Sequence, residues 1–247
     1  MSDDRPLSPV LTALRSMFGT VDLLPGVAPG LLVPDTRRWA PAARLADDLL
    51  PELLERAARR WQAQPHAAAS LAWKAYTYWL ALPAVLGFAV ARRVPLLTGD
   101  AVLVRFDDPR SLVTFGLRPD ITVAALPGDP LAGTPGVLVV ADDDELLAAL
   151  RRSLLDEHLT PLLDAMHGAV RIGRRVLLGS LASGIAYGLL RVAGDQTGAT
   201  GRVLSALDLA DLIELTPAGR VHRRTCCLAF TLPRPKICAD CCLPPRP

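Results

Sequence analysis

Apolar residues recur at helical spacing along most of the chain and turn to alternation only in its middle. Residues 6–18 read as a short helix, and Pro25-Gly26 with Pro29-Gly30 mark a loop ending near Pro34. Over residues 41–62, Leu45, Leu49, Leu53 and Ala57 fall four apart on one face. Pro41 suits a first helical turn there, and Pro51 is expected to bend or break the run. Residues 67–92 form the next helical stretch. Trp73, Tyr76, Trp79 and Leu80 cluster on one side of it as core, and Pro83 is expected to split it.

Near residue 96 the period changes. Residues 101–106 read as a strand, Asp107-Asp108-Pro109-Arg110 as a turn and residues 111–115 as the returning strand. Short strands follow at 121–125 and 137–140, separated by loops carrying Pro127-Gly128 and Pro135-Gly136. With no long helix between them, the sheet is expected to be antiparallel or mixed. Asp142-Asp143-Asp144-Glu145 stands directly before an apolar run, where carboxylates satisfy the free N–H groups of a helix start. A helix to about residue 158 and a second from Pro161 are expected, then a helix over 173–191. Gly179, Ala182, Ser183, Ala186 and Gly188 on that helix let a neighbouring backbone come close. A last helix is expected over 203–215. The fold class is α+β, mainly helical, with a small sheet in the middle of the chain and a cysteine-rich C-terminal tail. Residues 1–95 form a helical region, residues 96–215 a sheet-plus-helix region packed with it as one domain, and residues 216–247 the tail.

The composition narrows the functions open to such a chain. A net charge of +2 spread over 247 residues lacks the concentrated basic stripe of a nucleic-acid-binding protein. The apolar runs over residues 79–91 and 176–190 fall short of the roughly 18 to 20 residues needed to cross a bilayer, so no transmembrane segment is expected. The acidic opening Met1-Ser2-Asp3-Asp4 is unlike a secretory leader, and a cytoplasmic location is expected, with peripheral membrane association left open. Residues 194–201 are glycine-rich but lack the lysine of a phosphate-cradling loop, and no Gly-x-Gly-x-x-Gly is present.

All five cysteines lie between residues 226 and 242. Cys226-Cys227 is followed after ten residues by Cys238 and after two more by Cys241, with Cys242 adjacent. Pro233-Arg234-Pro235 must bend the intervening run. About five residues out and five back, at roughly 3.3 Å each, return Cys238 to the neighbourhood of Cys227. Clustered thiolates are soft ligands for zinc, copper(I) or iron–sulfur clusters. A vicinal pair is an awkward knuckle for one tetrahedral zinc and less so for a cluster with separated iron corners. Zinc, an iron–sulfur cluster and disulfides all remain compatible with the spacing.

The pattern Cys226-Cys227-x10-Cys238-x2-Cys241 resembles the C-terminal signature of the FhuF-type ferric-siderophore reductases, whose four cysteines ligate a [2Fe–2S] cluster. Arg223-Arg224-Thr225-Cys226-Cys227-Leu228 is similar to the same family. So is residues 174–183, with Leu178 and Ser180 where the family has Trp and Asn. The resemblance implies metal ligation by Cys226, Cys227, Cys238 and Cys241, and one-electron reduction of a ferric hydroxamate-type siderophore. An external electron donor such as a ferredoxin or reductase is implied too, since the chain carries no nucleotide motif. Arg174, Arg175, Arg223 and Arg224 are candidate contacts to substrate or partner, because arginine favours anionic groups. A zinc-stabilised or cluster-containing siderophore-binding module without reductase activity is the alternative.

Overall fold

The computed structural model describes residues 5–19, 24–193, 198–216 and 219–242. Of the glycine-rich loop expected at 194–201, residues 194–197 lie outside them, and residues 199–201 open a helix instead. Seven α-helices are described: α1 (Ser8–Phe18), α2 (Leu50–Trp61), α3 (Pro65–Ala91), α4 (Asp143–Leu150), α5 (Thr160–Val170), α6 (Arg174–Ala193) and α7 (Ala199–Ala206). Proline stands in the first turn of α1, α2, α3 and α5, where its missing N–H costs nothing. Pro51 therefore starts α2 instead of bending a longer helix. The stretch Ala42–Ala46 before it is a short 3-10 turn.

Pro83 does not split α3, which runs unbroken for 27 residues. Interior proline normally costs a helix about 3 kcal/mol. Here the helix is buried along most of its length, and packing outweighs the lost hydrogen bond. Small residues make that packing possible. A Cβ at Gly184 would stand 3.5 Å from the Tyr78 backbone, and one at Gly188 would stand 2.5 Å from Leu82 Cδ2. The contacts advance together along both helices, so α3 and α6 run side by side in the same direction. Among the described residues, α6 alone has the length and composition of a membrane span, yet most of it is covered by the rest of the fold.

Asp142 caps α4 by accepting from the N–H groups of Asp144 and Glu145, and Glu145 reaches back to the N–H of Ala141. The acidic run is thus a helix start, as its sequence position suggests. Helix does not stop at residue 158: the π-helical turns Arg151–Leu159 join α4 to α5. Inside that junction His158 is buried, with Nδ1 2.8 Å from Leu97 O and Nε2 2.8 Å from Tyr76 Oη.

Strands β1 (Val27–Leu32), β2 (Ala40–Pro41), β4 (Val102–Arg105) and β5 (Thr114–Leu117) form a mixed sheet in the order β1-β5-β4-β2. The hairpin β4–β5 matches the alternation read from sequence, whereas β1 occupies residues expected to be loop and pairs parallel to β5. Strands β3 (Arg93–Pro95), β6 (Val123–Ala125) and β7 (Val137–Val139) form a second mixed sheet. The expected helix over 203–215 ends early: α7 stops at Ala206, Asp208 takes a left-handed backbone, and residues 213–215 become strand β8 (Ile213–Leu215). β8 pairs antiparallel with β9 (Val221–Arg223), which delivers the chain to the cysteines. One continuous apolar core, from Leu7 to Val221, joins the helices to all three sheets.

Candidate functional site

Strand alternation decides which side chains of β9 face the protein. Val221 and Arg223 point in and are buried, while His222 and Arg224 point out. The Arg223 guanidinium therefore enters the fold beneath the cysteine loop with no exposed side-chain surface. Its Nε lies 2.7 Å from Asp240 Oδ2, and Nη1 donates to Ser180 Oγ at 3.1 Å. The Asp240 carboxylate, itself almost fully buried, accepts from Ser183 Oγ. The Asp240 carbonyl accepts from the Arg223 N–H at 2.9 Å. Two serines one helical turn apart on α6, one arginine and one aspartate thus lock both ends of the cysteine loop to a single helix face.

Close approach to α6 is made possible by Gly179. A Cβ there would fall 2.0 Å from Thr225 Oγ1 and 3.1 Å from Thr225 Cβ. Thr225 directly precedes Cys226, so glycine at position 179 sets how near the first thiol pair sits to the helix. After Cys227 the chain turns through Leu228, whose backbone is left-handed, into a 3-10 turn Ala229–Thr231 where an extended run was expected. The Lys236 N–H on the Ala229 carbonyl closes the loop at 3.1 Å.

This closure brings Cys227 Sγ and Cys238 Sγ to 3.2 Å. All five thiols are free, and that separation is well beyond a disulfide bond of about 2.05 Å. Cys227 is buried, and its thiol is pushed down to about 4, first by the hydrogen bond from Cys238 and then by those from Arg223 and the Ala229 N–H. Cys238 is pushed up because it keeps the proton that Cys227 gives away. Arg223 stays charged because the Cys227 sulfur and Asp240 outweigh the burial that opposes it. Lys74 of α3 adds a second cation, with Nζ 3.5 Å from Cys238 Sγ.

The other sulfurs gather separately. Cys226 accepts from the Leu228 N–H at 3.3 Å, and Cys242 sits close enough to Cys226 and Cys241 that its thiol is raised by partial desolvation and then by their sulfurs. Cys241 is half-buried and Cys242 exposed. Among the described residues, no three His, Cys, Asp or Glu side chains converge as a ready-made seat for a single ion. The donor set is all sulfur, divided between a Cys227/Cys238 pair and a group around Cys226, with N–H donors aimed at Cys226 and Cys227. Soft sulfur donors with N–H bonds to sulfur and cations alongside could hold an iron–sulfur cluster.

The four candidate arginines end up in different places. Arg174 and Arg175, at the start of α6, are exposed and pair with Asp164 at 3.0 Å and Asp211 at 2.9 Å. Arg224 is exposed beside the loop, and Arg223 is sealed beneath it. Sequence reading did not single out Lys74, Asp240, Ser183 as an anchor, or the inward direction of Arg223. Only the last left a usable trace, since Val221 two residues earlier marks the buried face of a strand.

A protein-family model described as "Ferric iron reductase FhuF-like transporter" matches residues 70–217. That stretch is more than half of the chain. It takes in most of α3, helices α4 to α7 and strands β3 to β8, and ends before the first cysteine. No curated protein matches the chain.

Proposed function

Because the chain belongs to the FhuF-like ferric iron reductase family, we propose that it reduces the Fe(III) of a ferric siderophore. In this reading a [2Fe–2S] cluster is held by Cys226, Cys227, Cys238 and Cys241. The observation that carries it is the folded-back loop that sets Cys227 against Cys238 at 3.2 Å, over a buried arginine.

A cluster bound there supplies one-electron transfer near neutral pH. The chain's own residues do the rest. The loop presents paired sulfurs, Arg223 and Lys74 offset the negative charge that gathers on them, and the Leu228 and Ala229 N–H groups donate to sulfur. Each of these favours the more negative, reduced state and so raises the potential. Hydroxamate oxygens are hard donors that grip Fe(III). Adding one electron to the metal yields Fe(II), for which they have less affinity, so the iron can leave the chelator. The electron enters from an external donor of the ferredoxin or reductase class. This reading puts the work in the cytoplasm, where thiols stay reduced.

The test begins with anaerobically purified protein analysed for iron and acid-labile sulfide, with absorption and EPR spectra before and after dithionite. The expected result is two irons and two sulfides per chain and a visible spectrum that bleaches on reduction and returns when ferric hydroxamate is added, with Fe(II) appearing in a ferrous trap. One zinc per chain, or a reduced protein that keeps its electron beside ferric siderophore, overturns the reading.

A further inference from the structure

On the outer side of the cysteine loop, where it leans on the end of α2, lies a concave pocket of about 220 Å³. It is lined by Arg60, Trp61 and Gln62 from α2 and by Leu232, Pro233, Arg234 and Lys236 from the loop. Three basic residues line it and no acidic one does.

Their charge is not cancelled nearby. Neighbouring arginines of α2 pair with acids of the same helix, Arg56 with Glu52 and Arg59 with Glu55. Arg60 instead donates to the carbonyls of Arg110 at 2.9 Å and Pro109 at 3.4 Å, which fix the guanidinium without neutralising it. Arg234 and Lys236 have no carboxylate partner among the described residues. Half-buried Trp61 adds a flat apolar wall. Cations left unpaired in a concave site with an aromatic face suit a small anion attached to an apolar body. A protein partner would instead meet a wide and flatter surface.

Position ties the pocket to the thiols. Lys236 is two residues from Cys238, hence within about 7.6 Å Cα to Cα. The same residue's N–H holds the Ala229 carbonyl, and the Ala229 N–H reaches Cys227. A molecule seated here rests against the back of the donor loop.

We propose that this pocket binds a carboxylate arm of the ferric chelate, so that the protein prefers anionic, carboxylate-bearing ferric siderophores over cationic ones. The proposal rests on the reductase reading and specifies its substrate class. At 220 Å³ the pocket holds an arm and not a whole chelate, which leaves the metal end of the molecule outside, beside the loop.

The test uses gallium(III) complexes, which bind as the ferric ones do but cannot be reduced. The probes are a carboxylate-bearing citrate–dihydroxamate complex and a trihydroxamate complex with a free ammonium group. Their affinities are measured by calorimetry on the anaerobically purified protein and on an Arg234→Glu/Lys236→Glu variant. The expected result is at least tenfold tighter binding of the anionic complex by the unmodified protein, weakening as salt rises. The variant should lose or reverse that preference while keeping its metal content and visible spectrum. Equal affinity for the two probes, no binding of either, or a preference that survives in the variant overturns the proposal. So does a variant that binds both probes unchanged but accepts electrons more slowly from an acidic donor protein, which would reassign the cations to that partner. If both ferric complexes reoxidise the reduced protein equally well, the pocket assignment fails while the reductase reading stands; if neither does, the reductase reading fails.

Discussion

Replacing Arg223 by methionine should be among the most damaging single changes this protein can suffer, and more damaging than replacing its partner. The substitution keeps most of the volume and removes only the charge and its hydrogen bonds. Asp240, with 4% of its side chain exposed, then keeps a buried charge without its cationic partner. Opposite charges about 4 Å apart interact by roughly 4 kcal/mol at a protein-like effective dielectric constant. Breaking a buried pair by removing one member costs about 3–5 kcal/mol. Asp240→Asn is gentler, because Arg223 still faces the Cys227 sulfur and is not left alone. It should cost about 1–3 kcal/mol. Arg223→Met combined with Asp240→Leu removes both charges and should recover part of the larger loss, since an apolar replacement of a whole buried pair is often near neutral. The assay is urea unfolding of anaerobically purified protein at matched metal content, followed by near-ultraviolet circular dichroism. If Arg223→Met loses less than about 1 kcal/mol, or Asp240→Asn costs as much as it does, the charge balance described under the loop is wrong.

Other perturbations have equally definite outcomes. Gly179→Ala drives a methyl group into Thr225; it should cost about 1–3 kcal/mol and cut iron content several-fold while far-ultraviolet dichroism stays native, and unchanged iron would refute the close approach. His158 is buried and its pKa is lowered from 6.5 to about 4, chiefly by desolvation. The unfolded chain thus binds the extra proton first as pH falls. Stability should be complete above pH 6.5 and fall by about 1.4 kcal/mol per unit toward pH 4, roughly 3 kcal/mol in all. His158→Gln should flatten that part of the stability curve, and an identical slope in the variant would contradict it. Cys241→Ala should abolish the visible spectrum and Cys242→Ala should keep it, because Cys241 is half-buried beside the loop and Cys242 is exposed; the reverse pattern in iron analysis would exchange their roles.

Much of this could be read along the chain because much of it is local. The first-turn proline Pro161, the carboxylate cap at Asp142, the hairpin at residues 102–117 and the return of Cys238 to Cys227 all depend on neighbours in sequence. What escaped depends on distant partners. β1 exists only because β5, nearly ninety residues later, offers it an edge: Val27 pairs with Phe115. Pro83 stays helical because packing along α3 overrides the local preference. Arg223 reads from sequence as a contact to substrate or partner, and its burial follows from a strand pairing and an aspartate seventeen residues on. Lys74 meets Cys238 across 164 positions, and no spacing rule reaches that far.

The stitching of the donor loop to α3 and α6 also sets an order of events during synthesis. The residues that receive the loop, Lys74, Gly179, Ser180 and Ser183, all leave the ribosome before the first cysteine does. Earlier parts of a chain tend to fold first as it emerges. The helices that form the seat can therefore be in place when the thiols arrive, and the proposed loading with metal would be a late step on a finished scaffold. Weakening the scaffold should then appear first as protein that is made in normal amounts but matures empty.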